Sequence, residues 1–198
     1  MKLNWAERLV VNNPLRVIEQ ALQIQWFKRK TPLNKGAVLL EIGCGRGAGA
    51  RLINETFRPH HLHILDLDIM MIRMAKAYLS PNDKEKISLY VGDATSLPFR
   101  ARSLDAVIGF GFLHHVPDWR KALKEIARIL KTGGVYFMEE LYPSLYQNFI
   151  TKHILHHPTQ DRFFSYELRN ALEELNLLME DAIEFKKLGI LGIVKKGY

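Results

Sequence analysis

The sequence predicts an α/β fold: a mostly parallel sheet, helices on both faces, and an antiparallel hairpin at the C-terminal end. Three observations predict it. Short apolar runs without strict alternation recur at Val38–Ile42, His61–Asp66, Ile87–Val91, Asp105–Phe112 and from Val135, as strands buried on both faces require. Stretches of helical spacing lie between several of them, opened by Asp or Pro and stopped by glycine. The last residues, Asp181–Lys187 and Gly189–Lys196, are two strand-like runs around a turn at Leu188-Gly189.

The first run leads straight into Gly43-Cys44-Gly45-Arg46-Gly47-Ala48. These glycines let the chain turn tightly and bring bare backbone N–H groups up to a ligand where a Cβ would clash. A helix opens at about Arg46 and runs through Ala50, Leu52 and Ile53, so strand, glycine turn and helix N-terminus make a nucleotide-type corner. Upstream, Pro14 suits the first turn of a helix; Leu15, Ile18, Leu22 and Gln25 recur along one face, with Val17, Ala21, Ile24 and Phe27 beside them. Three uses are open to that helix: packing on the core, closing over a ligand, or resting on a membrane surface. Packing with a lid role is preferred, because its polar face is poor in Lys and Arg.

The second strand ends at Asp66, 19 positions after Gly47, near the ~20-residue offset at which an acidic side chain meets ribose hydroxyls. Leu67 follows it, and Asp68 caps a helix through Met71, Met74, Ala75 and Tyr78 whose Met residues read as core. The third strand ends in Gly92-Asp93-Ala94, by itself only a turn signal. The fourth leads through Phe110 to Leu113-His114-His115-Val116-Pro117-Asp118 and an amphipathic helix with Ala122, Ile126, Ile129 and Leu130 inward, stopped at Thr132-Gly133-Gly134. Residues 141–164 are the least regular part, and so long a connection is usually functional. Tyr142, Tyr146, Phe149 and Phe163 there suit a ring or an acyl chain, or else complete the core. Ser165 caps the last helix, through Leu168, Leu172 and Leu175.

At 198 residues the chain is expected to form one domain: a helical extension over 1–35, a ligand-binding core over 36–140, a substrate-side insertion over 141–164, and a helix and hairpin over 165–198. With 47% apolar and 25% charged residues, disorder is not a serious reading. Cys44 is the only cysteine, which excludes a disulfide framework and a cysteine zinc site and suits a reducing cytoplasm. The N-terminus has no signal-peptide core and no apolar run is long enough to span a bilayer, so a soluble cytoplasmic protein is expected. The net charge of +7 favours an anionic partner, but it is scattered and lacks an aromatic-interleaved basic stripe. Nucleic acid is therefore disfavoured, contact with a membrane surface stays open, and the oligomeric state is not encoded legibly.

Taken in register, Glu41-x-Gly43-x-Gly45-x-Gly47, Asp66, Gly92-Asp93-Ala94, Leu104-Asp105, Phe112–Asp118 and Glu125–Gly134 resemble class I S-adenosylmethionine-dependent methyltransferases. The resemblance covers about residues 36–197 and is strongest to the small-molecule branch that includes quinone, sterol and lipid methyltransferases, although Thr132 stands where that branch has Pro. It implies a Rossmann-like, seven-stranded sheet and a methyl transfer that leaves S-adenosylhomocysteine. It also implies that Gly43, Gly45 and Gly47 cradle the methionine part of the cofactor, with Glu41 orienting it. Asp66 would hold the ribose, Leu67 the adenine face, Asp93 and Ala94 the adenine edge, and the carbonyl near Phe110 the ammonium. His115, with His114 second, is the candidate base, a role needed only for a protonated nucleophile; each also reads as a packed histidine. No metal is implied. The rivals are a methyltransferase acting on RNA, an NAD-dependent oxidoreductase, and a silent protein that binds the cofactor without turnover.

Overall fold

A computed structural model describes residues 13–146, 161–185 and 187–198. In it a seven-stranded sheet has the order β3-β2-β1-β4-β5-β7-β6. β1 (Val38–Ile42), β2 (His61–Asp66), β3 (Ile87–Val91), β4 (Leu104–Phe110) and β5 (Leu130–Leu141) pair in parallel, while β7 (Gly189–Lys196) runs antiparallel between β5 and β6 (Leu177–Phe185). The expected fold class is the observed one. Because the order reverses between β1 and β4, a crevice opens at the carboxyl ends of those two strands, where sheets of this kind bind ligands.

Alternation along the strands makes two cores. Leu40, Ile42, Val107, Tyr136 and Met138 face α5 (Trp119–Ile129) and α7 (Ser165–Glu174), whose Trp119, Leu123, Ile126, Leu168 and Leu172 complete that side. Leu39, Leu62, Ile64, Ala106, Ile108 and Phe137 face the other way, onto Ile24 and Phe27 of α1 (Pro14–Lys30) and Ala50 and Ile53 of α2 (Ala48–Phe57). Phe27 stacks on Phe137 with ring centroids 4.8 Å apart. This inverts the expected face of α1: Ile24 and Phe27 are buried, whereas Leu15, Ile18 and Leu22 stand exposed. The two sets share helical spacing, so periodicity alone does not choose between them.

Other boundaries also differ. α2 opens at Ala48, with Gly47 as its cap at φ +87°, because the three glycines use up the residues before it. α3 (Ile69–Tyr78) is capped as expected, Asp68 Oδ1 accepting from Met70 N at 3.0 Å, but it buries Met71 and leaves Met74 exposed. A short α4 (Pro81–Lys84) precedes β3. β5 begins at Leu130, five residues before the expected Val135, and its pairing with β4 shifts there: β5 advances from Leu130 to Val135 while β4 advances only from Leu104 to Ala106. α7 has Phe164 as its cap, and Glu167 supplies the side chain, accepting from Phe164 N at 3.0 Å.

Residues 141–146 and 161–164 of the expected substrate-side insertion are described, including α6 (Pro143–Tyr146). Tyr142 and Phe163 are fully buried, Tyr142 donating to Glu184 Oε1 at 2.7 Å and Phe163 packing on Trp119, so these two complete the core. The Tyr146 side chain and Phe149 lie outside the described residues.

Candidate functional site

The glycine corner is built from positive φ angles: +74° at Gly43, +52° at Gly45 and +87° at Gly47. Gly43 N–H donates to the Leu65 carbonyl at 2.8 Å, tying the corner to β2. Two of the three positions have steric reasons beyond a ligand. A Cβ on Gly43 would fall 2.7 Å from Phe112 Cβ, and one on Gly47 would fall 3.1 Å from Ala75 Cβ. At Gly45 a Cβ would meet nothing within 4 Å, so the space beside it is open. Cys44 is buried, which pushes its thiol up and makes it inert packing.

Glu41 lies beneath this corner, fully buried, and Oε2 of its carboxylate has no hydrogen-bond partner. A Cβ on Gly49, in the first turn of α2, would stand 2.2 Å from Oε1, so only glycine leaves room for the carboxylate. Burial, reinforced by the negative charge of Asp66, pushes Glu41 up to about 8. An orphaned carboxylate oxygen under an open glycine turn fits a cationic, hydrogen-bond-donating ligand such as the ammonium-bearing tail of S-adenosylmethionine.

Asp66 ends β2 at the lip of the same corner. Its Oδ2 accepts from Gly45 N at 3.0 Å and its Oδ1 from Asp68 N at 2.9 Å. Burial raises its pKa, partly offset by those two N–H groups. Leu67 beside it is exposed. Asp93 is also exposed, its Oδ1 accepting from Thr95 N at 2.8 Å, and Ala94 is buried. These residues therefore stand at the carboxyl ends of β1, β2 and β3.

The far side of the crevice is the end of β4. Phe110 is buried, Gly111 turns at φ +64°, and Leu113–His115 form a single 3₁₀ turn. Phe112 folds back under the site, and a Cβ on Gly109 would fall 2.4 Å from its ring. His114 is buried, its Nδ1 2.8 Å from Glu140 Oε2, while His115 is half-buried with its ring centroid 4.3 Å from that of His114. Glu140 Oε1 also accepts from Leu113 N at 2.9 Å. Burial pushes Glu140 up to about 8, the surrounding main-chain N–H groups working against it.

On the opposite face of β5, Glu139 is bonded by Arg16 of α1, which also reaches Glu19 at 2.8 Å. Burial by itself would lower the Arg16 pKa, but the Glu139 charge and hydrogen bond outweigh it and raise it. Arg16, Glu139 and His114 all come within 3.5 Å of the place a Cβ on Gly111 would take. The structure thus groups the predicted Glu41, Gly43, Gly45, Gly47 and Asp66, and sets the histidine pair beside Phe110 at the end of β4. Sequence reasoning missed Gly49, Phe112, Arg16, Glu139 and Glu140. The available signal was Met138-Glu139-Glu140, two acids ending an otherwise apolar buried strand. Among the described residues no group of His, Cys, Asp and Glu could hold a metal ion, and no helix is long and apolar enough to cross a membrane.

Comparison with known proteins agrees with this geometry. A family model described as "Methyltransferase domain" matches residues 40–138. The chain is 34% identical over 123 residues to a demethylmenaquinone methyltransferase of Listeria monocytogenes, covering 60% of this chain and 52% of that protein. It is 39% identical over 113 residues to the protein of that name from Lactococcus lactis, covering 56% and 44%. The chain thus spans about half the length of the curated relatives it matches. A solved SAM dependent methyltransferase from Aquifex aeolicus superposes with a TM-score of 0.77 at 13% identity, covering 98% of this chain and 100% of that one.

Proposed function

The chain belongs to the methyltransferase domain family, whose methyl donor is S-adenosylmethionine, and on that premise we propose that it methylates a small, ring-bearing apolar molecule of the quinone or lipid kind. The observation that carries the reading is the glycine corner over a buried Glu41 with an unpartnered carboxylate oxygen. The names of the relatives, demethylmenaquinone methyltransferases, support the acceptor class.

The cofactor supplies a methyl already activated by the positive sulfonium. What this chain adds is alignment and the exclusion of water, which together account for much of the rate in such displacements. Gly43, Gly45 and Gly47 admit the methionine part to the backbone and Glu41 accepts from its ammonium with the Phe110 carbonyl. Asp66 takes the ribose hydroxyls, for which its hold on Gly45 and Asp68 keeps the carboxylate aimed. Leu67 covers the adenine face, and Asp93 and Ala94 meet its edge. For a phenol or hydroquinone acceptor, His115 or His114 takes the proton near neutral pH. Residues 1–198 act as one catalytic unit, in the cytoplasm, with 141–164 on the acceptor's side.

A thermal-shift panel tests this reading. S-adenosylmethionine and S-adenosylhomocysteine should raise the melting temperature, since a ligand that binds only the folded state stabilises it, while NAD and NADP should not. A preference for NAD would overturn it.

A further inference from the structure

Glu140 takes no part in the reading above, yet it is fully buried and entirely engaged with one short turn. Its Oε1 accepts from Leu113 N at 2.9 Å; its Oε2 accepts from His114 N at 3.2 Å and lies 2.8 Å from His114 Nδ1. From the other side Arg162 reaches the carbonyls of the same turn. Its Nη1 donates to His114 O at 2.9 Å and Val116 O at 3.3 Å, and its Nη2 to Pro117 O at 3.0 Å. The Glu140 carboxyl collects the N–H groups and the Arg162 guanidinium the C=O groups. A 3₁₀ turn of three residues has poor internal hydrogen bonding, so two side chains that each bond it more than once are a large addition to its rigidity. Packing alone does not call for them: an apolar side chain of Glu140's size would fill the same space without desolvating a carboxylate.

We propose that Glu140 and Arg162 are positioning residues that clamp the His114–His115 turn from its two sides, so that His115 is the half of the pair presented to the acceptor. The proposal rests on the methyl-transfer reading. His114 is buried against Glu140, and His115, half-buried with its ring 4.3 Å from that of His114, is the more exposed of the two. In the step it serves, the acceptor's O–H or C–H proton passes to the neutral imidazole of His115. The acceptor's electron pair forms the new bond to the methyl, and the electrons of the broken S–CH₃ bond stay on sulfur. The products are the methylated acceptor, S-adenosylhomocysteine and a protonated His115.

The test has two arms, each on wild type, Glu140→Gln and Arg162→Met, with His115→Ala for assignment. In the first, the Cε1–H resonance of His115 is followed by NMR in protein saturated with S-adenosylhomocysteine. Both variants should move it, because the neighbouring His114 ring no longer stands at a fixed place, while affinity for S-adenosylmethionine stays within about twofold. In the second, a 1,4-naphthohydroquinone with a short prenyl chain is the acceptor. Both variants should lower kcat at least ~10-fold with the KM for S-adenosylmethionine unchanged, and adding either to His115→Ala should cost nothing further, as for groups that act as a unit. An unmoved resonance in both variants, or losses that add to that of His115→Ala, would overturn the clamp. Should Glu140→Gln fail to fold, Arg162→Met alone decides by the same readings. A wild type that binds S-adenosylmethionine but leaves this probe unmethylated counts against the acceptor class, and the resonance arm then decides the clamp.

Discussion

Replacing Glu41 by Gln should make the protein more stable at alkaline pH and blunt its response to the cofactor. Burial and the nearby Asp66 charge raise the Glu41 carboxyl from 4.5 to about 8 in the folded chain. Between those two values the folded state holds a proton that the unfolded state has lost. Stability from this group is thus full below about pH 4.5, falls by about 1.4 kcal/mol per pH unit, and is lost above about pH 8. The whole span is about 5 kcal/mol, and at about 2–4 °C per kcal/mol for a chain of this size it is easily read as a melting temperature. Glu140 adds a second fall of the same sign over the same window. Glu41→Gln should therefore remove about one proton's worth of slope between pH 5 and 8 and leave the rest. A bound ammonium beside the orphaned oxygen stabilises the ionised form, so wild type should release close to one proton on binding S-adenosylmethionine at pH 7. Calorimetry in buffers of different ionisation heat measures that number, and Glu41→Gln should bring it near zero. An unchanged slope together with an unchanged proton count would refute the reasoning, and with it the placing of Glu41 under the cofactor.

Three further perturbations follow from the same geometry. Asp66→Ala should weaken S-adenosylmethionine by about 1.5–3 kcal/mol in calorimetry, and should also lower the melting temperature, because Gly45 N and Asp68 N lose their acceptor. Gly49→Ala places a Cβ 2.2 Å from Glu41 Oε1, so the melting temperature should drop sharply and recover in part when Glu41→Ala is added in the same chain. Arg16→Met leaves Glu139 buried without its cation, a loss of about 3–5 kcal/mol for a broken buried pair. Hydrogen exchange should then rise in α1 first, and equal protection of α1 in the two proteins would show that Arg16 does not hold it.

How much of this was legible in the sequence depended on whether a feature is written locally. The strands, the glycine corner and the Asp68 and Asp118 caps are local: an apolar run, a φ that only glycine adopts easily, a side chain bonding two or three residues on. So are Glu41 and Asp66, which the spacing of the motifs locates. The face of α1 is not local, since Leu15-Ile18-Leu22 and Ile24-Phe27 repeat with the same period and only the rings of Phe110 and Phe137 select between them. Nor is the reason for Gly49 visible before Glu41 and α2 are packed together. The start of β5 was misplaced because Thr132-Gly133-Gly134 looks like a helix stop, while in space it lies in an irregularity of the strand. Tyr142 and Phe163 read equally well as substrate surface or core, and only tertiary packing placed them in the core.

Glu139 and Glu140 are neighbours in the chain, and a strand sends neighbours to opposite faces. One peptide unit therefore fastens both covers of the crevice: α1 through Arg16 on one side, the histidine turn on the other. A slip of β5 by one residue would exchange the two acids and unfasten both at once, which gives the pairing of β5 with β4 and β7 a meaning beyond sheet stability.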